Sequence, residues 1–214
     1  MEINSKTDNK NIEQTAFGIL LTVSFCHLLD DTMHSMLPAI YPMLKDEFGL
    51  SFLQIGIITF VLQITSSIIQ PFVGLYADKH HSWWQLPVSM IFTLIGIFML
   101  SYANSFYVIL LSVSLFGLGS SIFHPQGSQV AQQASGGRKG LAQSIFQVGG
   151  NGGFALGPLF AALIVIPVGL KGVRWFAFIA ILLAIILVYI GKWHVKQTQK
   201  VHKKSRTQWT TAKT

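Results

Sequence analysis

Six long apolar stretches dominate the chain. They run at about 16–42, 52–77, 86–103, 106–130, 141–167 and 172–192. Each approaches or exceeds the roughly 20 apolar residues that an α-helix needs to cross a bilayer. The pattern therefore predicts an all-α integral membrane protein. A bundle of six transmembrane helices is expected over 16–192, with a short cytoplasmic segment (1–15) before it and a basic cytoplasmic tail (193–214) after it.

Composition supports a membrane protein and argues against a nucleic-acid-binding one. Of the 214 residues, 51% are hydrophobic and only 11% are charged, whereas soluble domains carry about 25% charged residues. The net charge is +7, but seven of the fifteen basic residues lie from Lys192 onward. A nucleic-acid module would spread them along one face of a fold, so we expect no nucleic-acid partner. Cys26 is the only cysteine, which excludes an intrachain disulfide and a Cys-based zinc site. No cofactor or metal is expected.

The basic residues between the apolar stretches predict the orientation in the membrane. Cytoplasmic segments hold the excess of Lys and Arg. One side has only three of them, Lys45, Lys171 and Arg174; the other collects Lys6, Lys10, Lys79, Arg138, Lys139 and the tail from Lys192. We therefore expect both termini to be cytoplasmic. The basic tail is expected to contact anionic lipid headgroups.

The first apolar stretch contains a polar face. At 3.6 residues per turn, His27, Asp30, Asp31 and His34 fall within an arc of roughly 100°. A carboxylate at bilayer depth costs about 2.5–3.5 kcal/mol, so it must face a cavity or a partner, and such residues usually mark an ion or proton path. Two adjacent carboxylates also resist being ionised together, which favours a proton-carrying role. The alternative is that the two acids only make polar helix contacts or lie near the membrane surface.

Polar residues in three further stretches are candidates for the wall of a substrate pathway. The second stretch has them at three- and four-residue spacing, the fourth contains the run SSIFHPQGSQVAQQ, and the fifth has an amide stripe. The candidates are Gln63, Gln70, His124, Gln126, Gln147 and Asn151. Amides and hydroxyls also join helices through hydrogen bonds, and His124 is equally well interpreted as a structural histidine.

Small residues form a different stripe in the fifth stretch. Gly149, Gly153, Gly157 and Ala161 recur every four residues, so another helix can approach closely there. Packing explains these glycines by itself. Pro158 adds a bend that packing does not require.

Two short motifs resemble signatures of the major facilitator superfamily. The loop GLYADKHH at 74–81 resembles the superfamily's loop signature, with Gly74, Asp78 and Lys79 in the matching places. The resemblance implies a cytoplasmic gate of charge contacts, to which we add Arg138. The run GFALGPLFAA at 153–162 is similar to the fifth-helix antiporter signature of drug exporters. It implies an export role for Gly153, Gly157 and Pro158.

Longer runs resemble one family within that superfamily. LPAIYPMLKDEFGLSFLQIGIIT, QPFVGLYADK, GSSIFHPQGSQVA and ASGGRKGLAQSIFQVGGNGG look like the first half of the fosmidomycin resistance family of bacterial inner-membrane drug exporters. The resemblance implies proton-coupled antiport of a small-molecule drug. It assigns coupling to Asp31 first, and Asp30 and His34 look like additions relative to that family. From the shared polar face, Asp30, His27 and His34 are further proton-coupling candidates. Gln126 and Gln129 stand where that family has Glu and Arg, so one titratable acid is missing.

The resemblance covers only one half of a superfamily fold. The superfamily builds two six-helix halves around one midplane site, and this chain corresponds to the first. We expect a second copy of the chain or another chain to supply the facing half, or the chain to be a truncated product. The alternative to a half-exporter is a non-transporting fragment or subunit.

Two chemical classes of substrate are open at this point. Composition fits an uncharged or amphipathic substrate, whereas the resemblance suggests an anionic phosphonate.

An intramembrane hydrolase would use Ser120 and His124, one turn apart. The sequence offers neither a positioned base nor an oxyanion hole for it, and we expect no enzyme.

Overall fold

The computed structural model describes residues 15–80 and 82–211, without the side chains of Asp78 and of residues 201–211. Within these residues every regular element is helical and there is no strand, which confirms the all-α prediction. The helices are α1 (Phe17–Ala39), α2 (Tyr41–Phe48), α3 (Phe52–Gln63), α4 (Gln70–Lys79), α5 (Gln85–Ser101), α6 (Phe106–Gln133), α7 (Lys139–Phe160), α8 (Ile166–Val168) and α9 (Phe176–Thr211).

Irregular helical turns join several of these elements. A π-helical segment, Ile64–Ile68, continues α3 towards α4, and a second one, Ala161–Val165, continues α7 into α8. A 3₁₀ helix, Leu170–Trp175, precedes α9. The second and fifth apolar stretches of the sequence are therefore continuous helical rods with a local change of winding.

Among the described residues, four helical segments are long and apolar enough to cross a membrane, by length and composition. They are Phe52–Ala77, Phe106–Gln133, Lys139–Val168 and Leu170–Lys200. The predicted span at 86–103 forms the shorter apolar helix Gln85–Ser101. The predicted span at 16–42 forms α1, which is 23 residues long but carries two Asp and two His residues. The structure thus shows a multi-pass helical protein, and the count of six spans stays a prediction.

Local sequence signals explain where the short helix α2 and its neighbour end and begin. Gly49 follows α2 with φ of 61°, a left-handed conformation that costs glycine little and that commonly terminates helices. Ser51 then caps α3: its Oγ accepts a hydrogen bond from the Gln54 backbone N–H, and the Gln54 side chain accepts one from the Ser51 N–H. This reciprocal capping box fixes the start of the second long rod.

The helices form two groups of contacting neighbours, and both groups contact α6. One group is the pair α1 and α7, and the other is α5 packed against α6 and α9. α6 also contacts α1, α3 and α4. Because α1, α3, α4, α6 and α7 surround one space, their polar faces are brought together there.

Candidate functional site

The polar face of α1 points into the bundle. His27, Asp30, Asp31 and His34 are all buried, with Asp30 only 1% and Asp31 5% exposed. Both acids therefore lie inside the helix bundle and not on its outer surface. Their cost of burial must be offset by neighbours on other helices.

His27 and Asp31 form a contact one helical turn apart. The His27 Nε2 atom lies 3.2 Å from the Asp31 Oδ2 atom. On its other side, His27 Nδ1 donates to the Phe146 carbonyl oxygen of α7 at 2.8 Å, because a carbonyl oxygen only accepts. One further proton therefore suffices for the 3.2 Å contact, placed either on Nε2 or on the carboxyl group. A proton on either atom would join the two side chains by a hydrogen bond.

His124 of α6 approaches both acids from the opposite side. Its Nε2 atom lies 3.5 Å from Asp31 Oδ1 and 3.8 Å from Asp30 Oδ2. The His124 ring meets the His27 ring edge-on, with centroids 5.0 Å apart. Since the His124 side chain is 22% exposed, it connects the buried acids to open space.

That open space is a cavity of about 700 Å³. Its wall is formed by α1, the α3 to α4 rod, α6 and α7. The lining residues are His27, Asp31, His34, Gln63, Ser66, Ser67, Gln70, Ser120, His124, Pro125, Ser128, Gln143, Phe146, Gln147, Gly150, Asn151 and Phe154. Imidazole, amide and hydroxyl groups dominate this wall, so the cavity offers hydrogen bonds to a polar ligand.

Several polar atoms at this cavity or next to it make no hydrogen bond within the protein. Within the described part of the chain, both carboxylate oxygens of Asp30, Oδ1 of Asp31, Nδ1 of His34 and Oγ of Ser120 are buried without a hydrogen bond. Buried polar groups are normally satisfied by protein or water. Three of these four residues line the cavity, which indicates that a ligand, an ion or water completes their bonding.

The structure brings five of the six predicted pathway residues to the cavity: Gln63, Gln70, His124, Gln147 and Asn151. Gln126 lies elsewhere. It is 3% exposed and lines a separate, largely apolar cavity of about 360 Å³ together with Phe72 and Trp84. Its position two residues beyond His124 turns it to another face of α6.

Sequence reasoning missed some of the wall and missed the His27 anchor. Gln143 is not among the pathway candidates, although it belongs to the amide stripe that the sequence predicts, four residues before Gln147; it donates to the Ser128 Oγ atom at 2.5 Å. The Phe146 carbonyl gives no signal in the sequence, because any residue carries one.

The glycines of α7 lie against the backbone of α1. A Cβ atom on Gly149 would overlap the Ser24 carbonyl oxygen, and one on Gly153 would overlap the Leu28 carbonyl oxygen. A Cβ atom on Gly157 would overlap the Ser35 hydroxyl group. Close packing of α1 on α7 accounts for this stripe, and Pro158 lies in the last turn of α7 just before the π-helical segment.

The gate residues of the 74–81 loop lie at the end of α4. Gly74 faces Pro125 of α6 at 3.7 Å, measured from an ideal Cβ position, and Lys79 is exposed. The Asp78 side chain falls outside the described part. Arg138, at the start of α7, donates to the Thr15 hydroxyl group at 2.8 Å and lies over the Phe17 ring.

Comparison with known proteins identifies the family. The sequence pattern of the Major Facilitator Superfamily matches residues 20–214. The chain belongs to the major facilitator superfamily. It is 52% identical over 184 residues to the fosmidomycin resistance protein of Escherichia coli (strain K12), covering 86% of this chain and 45% of that protein.

A second relative and a solved structure agree with this family. The chain is 43% identical over 215 residues to the uncharacterized MFS-type transporter YfnC of Bacillus subtilis (strain 168), covering 99% of this chain and 53% of YfnC. Its fold matches a bacterial homologue of the human lysosomal transporter Spinster in an inward-facing, unoccupied conformation, with a TM-score of 0.65 and 14% identity over 86% of this chain and 43% of that one. The chain spans about half the length of the curated relatives it matches.

Proposed function

We propose that this chain forms one half of a proton-coupled drug exporter of the bacterial inner membrane. The observation that carries the proposal is the polar cavity of about 700 Å³ whose wall includes Asp31. A polar cavity within apolar helices suits a small molecule in transit. An ionisable group buried at such a cavity is the usual mark of an ion or proton path.

The first candidate substrate comes from the most informative name among the relatives. Because the Escherichia coli relative is called a fosmidomycin resistance protein, we propose fosmidomycin as the drug to test. Amides of Gln63, Gln147 and Asn151 and the hydroxyl group of Ser120 supply hydrogen bonds along the cavity wall.

The proton step is proposed for the His27–Asp31 pair. With His27 Nδ1 held by the Phe146 carbonyl, removal of the proton between His27 and Asp31 leaves an uncompensated negative charge. That charge faces Asp30, His34 and His124, and it is buried at 5% exposure. A change of protonation therefore alters the energies of the two transporter states, as does drug binding, and the shared equilibrium couples the two.

Alternating access requires a facing half. In our proposal, the second six-helix bundle comes from a second copy of the chain or from another polypeptide segment, and the halves rock around the cavity. We propose that two sets of residues take part in this rocking movement. They are the gate residues Gly74, Asp78, Lys79 and Arg138, and the segment of α7 from Gly153 to Pro158. The second candidate function is a fragment or subunit that does not transport by itself and needs a second six-helix chain.

A growth experiment tests the proposal. A transport-deficient bacterial host expresses the chain alone, or together with the second half of the Escherichia coli relative, across a fosmidomycin gradient. We expect protection in at least one arrangement, with the membrane content of the chain checked by immunoblot. Protection only with the second half present identifies a subunit. Sensitivity in both arrangements, despite good membrane content, would contradict the export proposal.

A further inference from the structure

The cluster of His27, Asp31 and His124 has the composition of a transition-metal site. The three residues offer two imidazole nitrogens and a carboxylate oxygen, and these atoms all lie within 4.8 Å of one another. Two of the three residues come from α1 and one from α6, so the cluster joins two helices. All three line the same cavity.

The spacing of the ligand atoms matches tetrahedral coordination. Zinc binds imidazole nitrogen and carboxylate oxygen at about 2.0–2.2 Å, so neighbouring ligand atoms lie about 3.4 Å apart around the ion. The His27 Nε2 to Asp31 Oδ2 distance is 3.2 Å, and the His124 Nε2 to Asp31 Oδ1 distance is 3.5 Å. The two distances end on different oxygens of Asp31, so the three ligand atoms occupy three corners of one tetrahedron only after the carboxylate rotates and the two imidazoles converge on one oxygen.

An outer-shell contact orients one of these ligands. Metal-bound histidines almost always donate their second ring N–H to a carboxylate, a backbone carbonyl or water, which fixes the tautomer and the ring plane. His27 does this with the Phe146 carbonyl at 2.8 Å, and its ring stacks on the Phe146 ring with centroids 4.0 Å apart. The Nε2 atom is therefore held towards Asp31.

A second observation at the same place concerns buried carboxylate oxygens without a hydrogen bond. Asp31 Oδ1 and both Asp30 oxygens are buried without a hydrogen-bond partner in the described part of the chain. Asp30 Oδ2 lies 3.8 Å from His124 Nε2, directly behind the cluster. A cation between the two histidines and Asp31 would compensate the charge of both carboxylates.

From these contacts, the geometry points to a binding site for a divalent transition metal of the zinc class at His27, Asp31 and His124. Two imidazoles select such ions over Mg²⁺ and Ca²⁺, which prefer oxygen ligands. Three protein ligands leave the fourth position open to the cavity, for water or for an anionic group of a small molecule. The site differs from the sequence expectation of no metal, because the sequence does not reveal that α6 brings His124 to α1.

Binding of the metal alone tests this site, without drug and without transport. The full chain, purified in detergent, is titrated with Co²⁺ as a visible-absorption probe and the ion is then displaced by Zn²⁺. We expect one ion per chain, displacement by Zn²⁺ and no displacement by Mg²⁺. His124→Asn should weaken binding by about tenfold or more, since even outer-shell partners are worth about 10–100-fold in affinity.

Controls separate this site from surface histidines and from misfolding. His80→Asn removes an exposed histidine at the end of α4 and should leave the affinity unchanged. X-ray absorption at the zinc edge of the unaltered chain should show scattering from two imidazole rings and needs no variant. Equal affinity in His124→Asn and the unaltered chain, or a zinc environment with fewer than two imidazoles, would overturn the inference. The ion would take the place of the proton between His27 and Asp31, so the two proposals describe alternative occupants of one position. Because the readout is metal binding without drug, failed binding leaves the export proposal standing, and failed export leaves the metal site standing.

Discussion

At the scale of single residues, Gly150 keeps the space that the His27–Asp31 pair occupies. A Cβ atom at Gly150 would lie 2.5 Å from His27 Cε1 and 2.6 Å from Asp31 Oδ2. Such distances force a shift of these two side chains. The neighbouring Gly152 would meet only Leu28 Cδ1 at 3.5 Å, an ordinary contact.

This difference gives a matched pair of variants. Gly150→Ala should reduce fosmidomycin export at least about tenfold, since an active group displaced by about 1 Å commonly costs more than that. Gly152→Ala should export at the normal rate. Drug accumulation in cells, at equal membrane content of both variants, measures the effect. Equal export by the two would show that the geometry of the pair does not matter.

The residue scale also shows what a single sequence predicts well. The α1 polar face followed from helical periodicity and from the cost of burying Asp30 and Asp31, and the fold buries both. The Gln126 position did not follow, because periodicity places a residue on a face of α6 without saying which neighbour that face meets. The His27 anchor on a backbone carbonyl could not be predicted from side-chain patterns at all.

At the scale of elements, α7 is fitted to α1 through its glycines. A Cβ atom at Gly153 would overlap the Leu28 carbonyl oxygen and would lie 2.9 Å from the Thr32 backbone nitrogen. Both atoms belong to the backbone of α1, so relief requires the two helices to move apart.

Replacing Gly153 by alanine should lower the stability of the folded chain. Gly153→Ala inserts a methyl group into a packed interface, which costs about 1–3 kcal/mol, more than the roughly 0.5–1 kcal/mol gained by replacing a helical glycine. We expect a lower melting temperature of the purified chain in detergent. Gly56→Ala on α3, where nothing lies within 4 Å of the new methyl group, should leave the melting temperature unchanged or raise it. A Gly153→Ala chain as stable as the Gly56→Ala chain would exclude close backbone packing.

The sequence predicts the long helices better than the short helix and the π-helical segments. The long helices could be predicted from the long apolar stretches, because a hydrophobic pattern sustained over many residues outweighs single polar positions. The short helix α2 (Tyr41–Phe48) is amphipathic and lies mostly between the first and second apolar stretches, so apolar length does not reveal it. The π-helical turns at Ile64–Ile68 and Ala161–Val165 depend on tertiary packing, for which the sequence carries no periodic signal.

At the scale of the whole molecule, the number of spans determines the side on which each terminus lies. The proposal of six spans places the α5 to α6 turn at Ala103 outside the cytoplasm and the residues after Lys196 inside it. Alkaline phosphatase, which folds only outside the cytoplasm, distinguishes these sides. We expect an active fusion at Ala103 and an inactive fusion at Lys196. Activity at Lys196 would mean an odd number of spans and would contradict the proposed topology.

The exporter hypothesis depends at this scale on a facing bundle. Asp31 and the polar cavity face a space that lipid cannot fill without cost. Under this hypothesis, a second bundle would face the cavity and make it a path between the two sides of the membrane. The coupling of that path to protons is the central claim.

The most direct test is drug-dependent proton movement in inside-out membrane vesicles, in whichever arrangement of the chain protects the host. After respiration has acidified the vesicle lumen, added fosmidomycin should discharge the pH gradient, as recorded by a fluorescent pH probe. We expect Asp31→Asn to abolish the discharge and Asp46→Asn, which removes an exposed carboxylate of α2, to retain it. Discharge by Asp31→Asn at the unaltered rate would contradict the account.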